Sequence, residues 1–347
     1  MLSELIRERQ WATEMGTARF AKRHGKGRQP WAYREIAKMS LSALGIGTYL
    51  GDPDDATDER YTDAIEAAVR SGINVIDTAS NYRDGRSEVC VGDALQRLYA
   101  TREIYRSEVL IASKAGFLSP ETAALADSES VSCGCHSMAP GYLRAVLDRS
   151  LAAMQLPTID VYYVHNPECQ LQQLPKDEVL DRIRAAFEAL ERAADESKIR
   201  VYGVATWPGL RAALDDKDHL SVADLVAVAE DVAGKSHRFK AIQMPLNRAM
   251  PEAHNLANQL VDGEYVSTLA AAAHFGLVAF ASAPLYQGRF AKKGRAVAAL
   301  QSVMNVPGVT SVLTGMSRTA HVDENVTALE DVTAIEDVTA LEDVAAT

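Results

Sequence analysis

Four residues of this sequence could together protonate a reduced carbonyl group. Asp77, Lys114 and His165 each end a short run of β-branched and apolar residues, and Tyr82 comes five residues after Asp77. Hydride addition to a carbonyl leaves an alkoxide that needs a proton, and tyrosine, with an ordinary pKa of about 10, is a weak acid. An ammonium stabilises tyrosinate and lowers the tyrosine pKa, so Lys114 could activate Tyr82 while Asp77 holds Lys114. His165 could donate to the carbonyl oxygen and orient it.

These residues meet if the segments that carry them are neighbouring parallel strands. From Met39 onward, short β-branched runs alternate with longer amphipathic stretches, a pattern typical of parallel sheets. Eight such units predict an α/β fold, a (β/α)8 TIM barrel, whose functional side chains lie at the C-terminal strand ends. The predicted strands are Ala43–Tyr49, Ile73–Thr78, Val109–Ser113, Asp160–His165, Ile199–Ala205, Phe239–Met244, Leu277–Ala281 and Val309–Thr314.

Amphipathic stretches follow these strands as predicted helices. Gly72 can take the left-handed position after the first helix. In the second, Ser87 is predicted as the N-cap before Glu88, whose charge suits the positive end of the helix dipole. The seventh is expected to be brief or displaced, because the segment before it is short and basic. The predicted helices are Glu59–Ser71, Glu88–Leu98, Tyr142–Met154, Glu178–Ser197, Ser221–Ala233, Val266–Phe275, Ala296–Val303 and a last one from His321 onward.

Two terminal segments are predicted to lie outside the barrel, which would occupy residues 39–326 as a single domain. Residues 1–38 form a basic extension interrupted by glycine and proline; a segment packed on the barrel and a partly disordered arm are both compatible with it. Residues 327–347 contain three near-identical acidic hexads. A six-residue step turns a helix by about 600°, so the apolar residues do not share one face. A disordered acidic tail is therefore favoured over a coiled coil.

Charge and hydropathy exclude several classes of function. The net charge is −11, and the acidic hexads carry about half of it. The mildly acidic remainder argues against nucleic acid as a partner. No apolar run reaches the roughly 18 to 20 residues that span a bilayer, and the charged N-terminus does not fit a signal peptide. The sequence therefore predicts a cytoplasmic protein without a membrane partner.

The cysteines contribute one short candidate motif, Cys133-Gly134-Cys135-His136. Without a second ligand cluster it is a weak metal signal, so a surface loop is predicted there, with structural zinc as the alternative. Four cysteines in a chain of this length do not indicate a disulfide framework, and a reducing compartment fits them. No metal site is predicted.

Several segments, in order and at characteristic spacing from about Ser40 to Asn325, resemble the aldo-keto reductase superfamily. The resemblance implies that Asp77, Tyr82, Lys114 and His165 are the catalytic tetrad of a reductase that converts an aldehyde or ketone to an alcohol. The matching segments are Gly45-Ile46-Gly47-Thr48, Asn74 to Tyr82, Ser87-Glu88 with Gly92, Ser113-Lys114, His165-Asn166-Pro167, and Pro307-Gly308-Val309 followed by His321, Glu324 and Asn325.

The same resemblance implies a nicotinamide cofactor, NADP(H) more often than NAD(H), bound without a Rossmann domain. The sequence has no Gly-x-Gly-x-x-Gly turn between a strand and a helix, which agrees with this. The implied cofactor contacts are Gly47, Thr48, Asp77, Thr206, Gln243, Pro284, Leu285, Gln287, Gly315, Ser317, Arg318, Glu324 and Asn325.

The sequence departs from the family pattern mainly where the pyrophosphate would lie. Thr206 follows an alanine where many members have a serine-asparagine pair. Many members have a lysine near Gly315 and an arginine near His321 at positions where this sequence has neither, and the segment after Gln287 is short. Substrate contacts are expected from Tyr49, Asn166 and Trp207, and an aromatic mouth would suit a small hydrophobic carbonyl compound.

Three other functions are compatible with parts of this pattern. A cofactor-binding subunit could keep the barrel and regulate a partner, although the complete tetrad favours an enzyme. A Schiff-base aldolase could use Lys114, but it would need a lysine of lowered pKa, and Asp77 favours the charged form. A metal-dependent hydrolase is disfavoured because no strand ends in a pair of metal ligands.

Overall fold

The structure is a computed structural model that describes residues 10–330. Residues 1–9 of the predicted extension and residues 331–347 of the predicted tail lie outside the described residues. The described strands are Tyr33–Ile36 (β1), Met39–Ser42 (β2), Leu44–Gly47 (β3), Val75–Asp77 (β4), Leu110–Ala115 (β5), Ile159–His165 (β6), Ile199–Ala205 (β7), Phe239–Pro245 (β8), Gln259–Val261 (β9), Glu264–Val266 (β10), Val278–Ser282 (β11) and Val309–Gly315 (β12).

Eight of these strands are parallel and close into a barrel. Strands β3 to β8 pair in sequence order, β8 pairs with β11, β11 pairs with β12, and β12 returns to pair with β3. The predicted (β/α)8 barrel is therefore confirmed. The ends of its strands differ from the predicted ends by at most two residues, because β-branched runs mark buried parallel strands clearly.

Helices surround the barrel and connect its strands. The described α-helices are Glu14–His24 (α1), Asp55–Arg70 (α2), Arg86–Ala100 (α3), Pro140–Met154 (α4), Lys176–Asp195 (α5), Val222–Ala233 (α6), Glu252–Asn255 (α7), Thr268–His274 (α8), Ala296–Met304 (α9) and Thr319–Val326 (α10). Helix α9 has only nine residues and follows a 3-10 turn over Arg289–Gly294, so the seventh barrel helix is brief, as expected. None of the helices in residues 10–330 has the length and apolar character that a membrane crossing requires.

The start of α3 corrects one expectation. Gly85, with a φ of 87°, is the residue before the helix, and Ser87 lies inside its first turn rather than at the N-cap. The Ser87 hydroxyl instead donates to the carbonyl of Thr48, at 2.7 Å, in the loop after β3. At the end of α2, Gly72 has a φ of 83° and takes the left-handed conformation expected of it.

Two apolar layers hold the barrel together. The larger fills the space between the strands and the surrounding helices. The smaller lies inside the barrel, where Val75, Leu110, Val161 and Phe280 point inward from separate strands. Packed interiors of this kind make a TIM barrel a solid core rather than a pore, so a ligand site has to lie above the strand ends.

The N-terminal segment packs against the opposite end of the barrel. The amide of Ala12 donates to Asp160 Oδ1 at 2.7 Å, and Arg19 and Arg23 of α1 both pair with the buried carboxylate of Glu108. The hairpin formed by β1 and β2 crosses the predicted boundary between residues 38 and 39. In the described part of the extension, Arg19 and Arg23 therefore make specific contacts with the barrel.

Candidate active site

A cavity of about 590 Å³ opens at the C-terminal ends of the barrel strands. This volume lies in the range of small-molecule and cofactor sites. Most residues proposed from the sequence line this one cavity, although they come from distant parts of the chain. They are Gly47, Thr48, Tyr49, Asp77, Tyr82, His165, Asn166, Thr206, Trp207, Gln243, Pro284, Leu285, Gln287, Gly315, Ser317, Glu324 and Asn325.

Two proposed residues do not line the cavity. Lys114 is fully buried directly behind the wall, where it contacts residues that do line it. Arg318 is exposed at the start of α10, next to the cavity residue Ser317. The structure thus places Lys114 within the predicted catalytic group and Arg318 at the rim.

Lys114 connects two of the predicted catalytic residues. It lies near the end of β5, and its Nζ donates to Asp77 Oδ2 at 2.7 Å, to the carbonyl of Thr78 at 2.7 Å and to Tyr82 Oη at 3.2 Å. An ammonium has three protons to donate, so these three acceptors satisfy it completely. The strand register of β4 against β5 creates this arrangement, because it brings Asp77 beside Ala112, near Lys114.

The carboxylate of Asp77 keeps Lys114 charged. Burial, the largest single influence, would lower the pKa of Lys114, but the attraction and hydrogen bonds of Asp77 and Tyr82 together hold that pKa above its ordinary value. The other oxygen of Asp77 accepts from Gln243 Nε2 at 2.8 Å. Gln243, proposed as a cofactor contact, therefore also fixes the carboxylate that holds the lysine.

Tyr82 presents a neutral hydroxyl to the cavity. Burial raises the pKa of Tyr82 above its ordinary value, and the Lys114 ammonium opposes this rise. The expected net lowering of the tyrosine pKa is not observed, because burial favours the neutral phenol more than the Lys114 ammonium favours tyrosinate. At neutral pH Tyr82 therefore holds the proton that a developing alkoxide would take, and Lys114 favours the tyrosinate left behind.

Tyr82 is positioned by its neighbour in the chain, which sequence reasoning missed. Arg83 is buried, its Nε donates to the carbonyl of Asp52 at 3.0 Å, and its guanidinium pairs with Asp58 and lies 5.2 Å from the centre of the Tyr61 ring. The backbone of Arg83 has a φ of 51°, a left-handed conformation uncommon for residues other than glycine. These three partners lie more than 20 residues away, so no local spacing could have indicated them.

His165 lies opposite Tyr82 and is neutral. Burial, with contributions from the neighbouring charges, lowers the pKa of His165 well below its ordinary value. Its ring meets the Tyr82 ring edge-on, with centroids 5.9 Å apart, and the Phe117 ring at 5.1 Å. A neutral imidazole has one N–H to donate, which fits the orienting role proposed for it.

His136 supports His165 from behind, and sequence reasoning treated it only as part of a weak metal motif. Its Nε2 lies 2.7 Å from the carbonyl of His165, so this nitrogen is the donor, and its Nδ1 can accept from Gln170 Nε2 at 3.1 Å. Burial lowers the pKa of His136 to about 4. Both nitrogens are engaged, and residues 10–330 contain no cluster of three or more potential metal ligands around it or elsewhere.

The remaining part of the cavity fits an extended polar ligand. The hydroxyl of Thr314 and the side-chain oxygen of Asn81 are buried there without a hydrogen-bond partner in the described residues. A Cβ built on Gly315 would meet only a Leu50 methyl group at 3.7 Å. A side chain at this position would therefore occupy ligand space. Buried polar atoms without a partner can accept hydrogen bonds from, or donate them to, a bound polar ligand.

The chain belongs to the aldo/keto reductase family, whose model matches residues 43–228. It is 30% identical over 172 residues to an NADH-specific methylglyoxal reductase from Escherichia coli (strain K12), and 27% identical over 176 residues to aldo-keto reductase family 1 member C1 from Macaca fuscata fuscata. Each match covers 48% of this chain, and 49% and 47% of the respective relative. The chain thus matches about half the length of these curated relatives.

The fold comparison covers more of the chain. The structure of an aldo/keto reductase from Klebsiella pneumoniae, in complex with NADP and acetate, superposes with a TM-score of 0.58 at 21% identity. The superposition covers 87% of this chain and 90% of that one. At this identity the likeness concerns the barrel fold alone.

Proposed function

We propose that this protein is an NAD(P)H-dependent reductase that converts a small aldehyde or ketone to an alcohol. The observation that carries the proposal is the buried contact of Lys114 with both Asp77 and Tyr82, behind the wall of the cavity at the strand ends. A structural ion pair needs no tyrosine hydroxyl at 3.2 Å that also faces a cavity. A group that protonates an alkoxide needs both a hydroxyl beside the ammonium and access of that hydroxyl to the cavity.

Each member of the group has one task in the proposed reaction. The nicotinamide supplies the hydride when it is bound. Tyr82 gives its proton to the carbonyl oxygen, Lys114 stabilises the resulting tyrosinate, and Asp77 keeps Lys114 in place. His165, neutral and at the cavity wall, donates its N–H to the same oxygen and orients the substrate. Because Lys114 stays charged, it is a poor nucleophile, which argues against the Schiff-base alternative.

We propose the cavity residues of β3, β7, β8, β11 and β12 and their following loops as the cofactor contacts. Support comes from the unpaired Thr314 hydroxyl and from Gly315, which leaves the ligand space open. NADP(H) is the proposed cofactor because the exposed guanidinium of Arg318 stands at the rim beside Ser317. Among the relatives, the E. coli enzyme is named as NADH-specific, whereas the Klebsiella structure holds NADP.

We propose a small, hydrophobic carbonyl compound as the substrate and the cytoplasm as the location of the reaction. Tyr49 and Trp207 line the cavity and are partly exposed, and Phe117 adds a third aromatic wall beside His165. Asn166 supplies a polar group between them. Aromatic walls with few polar groups favour apolar substituents on the carbonyl.

The experiment that tests the proposed function is a cofactor titration followed by an aldehyde panel. Quenching of intrinsic fluorescence by NADPH and by NADH gives both dissociation constants, and oxidation of the bound cofactor is then followed with aliphatic and aromatic aldehydes. We expect binding of NADPH and turnover of at least one class of aldehyde. Binding without any turnover would instead support a regulatory subunit, and absence of binding would overturn the proposal.

Cofactor preference can be tested at Arg318. A guanidinium binds phosphate through paired, charge-assisted hydrogen bonds. Arg318→Ala is expected to weaken NADPH binding by about 1.5 to 3 kcal/mol, the range of hydrogen bonds to charged groups, and to change NADH binding little. Calorimetric titration of both cofactors measures this, and equal losses for the two would show that Arg318 does not contact the 2′-phosphate.

A further inference from the structure

A second buried carboxyl group lies beside the cavity and has no part in the proposed proton transfer. Glu168 follows His165 by three residues, in the 3-10 turn Pro167–Gln172, and only 1% of it is exposed. Acidic residues are almost never buried to this extent unless they are paired. Glu168 has no positively charged partner among the described residues, so its contacts should explain its position.

Those contacts fix the loop that carries Trp207. Glu168 Oε1 accepts from the backbone amide of Trp207 at 2.6 Å and from that of Gly209 at 3.3 Å. A Cβ on Gly209 would lie 3.1 Å from the carboxyl carbon of Glu168, so the loop backbone packs directly on this carboxyl group. On the other side of Trp207, its carbonyl accepts from Arg211 Nε at 3.0 Å, and Arg211 pairs with Glu252.

The carboxyl group is only partly satisfied. Its second oxygen, Oε2, is buried without a hydrogen-bond partner in residues 10–330. Burial raises the pKa of Glu168 to about 7, and the amides of Trp207 and Gly209 oppose this rise. The titratable groups that face it are Asp218, from the loop that carries Trp207, and the neighbouring thiol of Cys169. Glu168 can therefore change its charge near neutral pH.

We propose that Glu168 is a positioning residue that determines substrate specificity, because its carboxylate holds the Trp207 wall of the cavity in place. The inference rests on the proposed carbonyl reduction. A charged acceptor binds an amide more strongly than a neutral one. Ionisation of Glu168 therefore tightens the anchor of Trp207, and protonation loosens it. Substrates that contact Trp207 are bound better when Glu168 is ionised. Binding of small substrates that do not reach Trp207 does not depend on the charge of Glu168.

The position of the wall can be measured without any turnover. The chain has three tryptophans, so the difference in emission between the native chain and Trp207→Phe reports Trp207 alone. We expect this difference to titrate with a midpoint near pH 7, and the titration to be lost in Glu168→Gln, which keeps the shape but cannot ionise. Asp218→Asn removes a neighbouring negative charge and should move the midpoint to lower pH.

The consequence for specificity is measured as a ratio of KM values for an aromatic and a small aliphatic aldehyde, below and above pH 7. For the native chain, the aromatic KM should fall relative to the aliphatic KM by about two- to tenfold as pH rises, which corresponds to the net contribution of a hydrogen bond. In Glu168→Gln the ratio should not depend on pH. Glu88 is another buried carboxyl group whose pKa burial raises to about 7, but it lies outside the Trp207 loop. Its ionisation would change the KM values of both substrates alike and leave their ratio unchanged.

The two experiments separate this inference from the proposed function. If the native chain turns over no aldehyde, the proposed function fails, and the emission titration still reports on Glu168. If aldehydes are reduced but the KM ratio is the same at both pH values, or keeps its pH dependence in Glu168→Gln, the role assigned to Glu168 is wrong. An emission titration that persists in Glu168→Gln would overturn it equally.

Discussion

At the scale of single residues, the site depends on how a buried charge is balanced. Lys114 is completely enclosed and has three acceptors, one of them the Asp77 carboxylate. A buried ion pair gains little net stability, because desolvation offsets most of the attraction. The position of this pair beside a tyrosine hydroxyl at a cavity wall is what the proposed proton transfer requires.

Lys114→Met is expected to impair carbonyl reduction for this reason. Without the ammonium, nothing opposes the effect of burial on the pKa of Tyr82. That pKa rises further, and the Tyr82 hydroxyl becomes a weaker proton donor. The rate of hydride transfer in a single turnover should fall by about 10² to 10⁴, the range of general acid catalysis.

The folding defect of this variant can be separated from the catalytic one. Removal of one partner leaves Asp77 as an uncompensated buried charge, which costs about 3 to 5 kcal/mol of stability. The double variant Asp77→Asn/Lys114→Met removes both charges and should recover much of that stability in a urea titration, with no recovery of hydride transfer. Recovery of both would mean that the single variant had only failed to fold.

At the scale of elements, the docking of α3 illustrates which sequence signals are reliable. The alternation of strand and helix patterns was enough to predict the barrel, since each unit must bury one apolar face. The start of α3 was predicted wrongly, because the Ser87 hydroxyl binds the loop after β3 rather than its own helix end. Local capping rules cannot take account of a partner 39 residues away.

A matched pair of glycine substitutions tests how closely α3 packs on α4. A Cβ on Gly92 would lie 2.8 Å from the Ala153 carbonyl oxygen and from the Cα of Met154, both backbone atoms that cannot turn aside. Gly92→Ala should therefore destabilise the fold by about 1 to 3 kcal/mol, as overpacked cores do. The free energy of unfolding in urea measures this.

Gly141 provides the control for that substitution. It lies in the first turn of α4, and a Cβ there would meet nothing within 4 Å. Gly141→Ala should leave the free energy of unfolding unchanged or raise it by up to about 1 kcal/mol, because alanine is the better helix former. A stable Gly92→Ala would show that the two helices are farther apart than described here.

At the scale of the whole molecule, the strand pattern predicted the part of the site attached to regular elements, whereas most of the loop residues that line the cavity were predicted from the family resemblance. Asp77, Lys114 and His165 lie at or next to the ends of barrel strands, so counting strands was enough to bring them together. The residues that hold the site in place were not predictable. Arg83, His136 and Glu168 act through contacts with loops far along the chain, and loops follow no period that a sequence pattern could reveal.

The N-terminal segment shows the same limit. Its basic composition was compatible with a packed segment and with a disordered arm. The choice depends on the buried acceptor Glu108, which pairs with Arg19 and Arg23 of α1. Glu108 lies 85 residues farther along the chain than Arg23, so this contact cannot be read from the segment itself. The complete fold thus decides the conformation of a segment whose own sequence leaves it open.

In the proposed reaction, the barrel presents one acid, the Tyr82 hydroxyl, to a carbonyl group. Tyr82→Phe removes only that hydroxyl, and the ring can still pack against Tyr49 and His165. Stopped-flow measurement of single-turnover hydride transfer, with NADPH binding measured in parallel, tests the claim most directly. We predict a loss in rate of at least about 10² to 10⁴ with nearly unchanged NADPH affinity. Near-normal hydride transfer in Tyr82→Phe would contradict the account, because the proton would then come from another group.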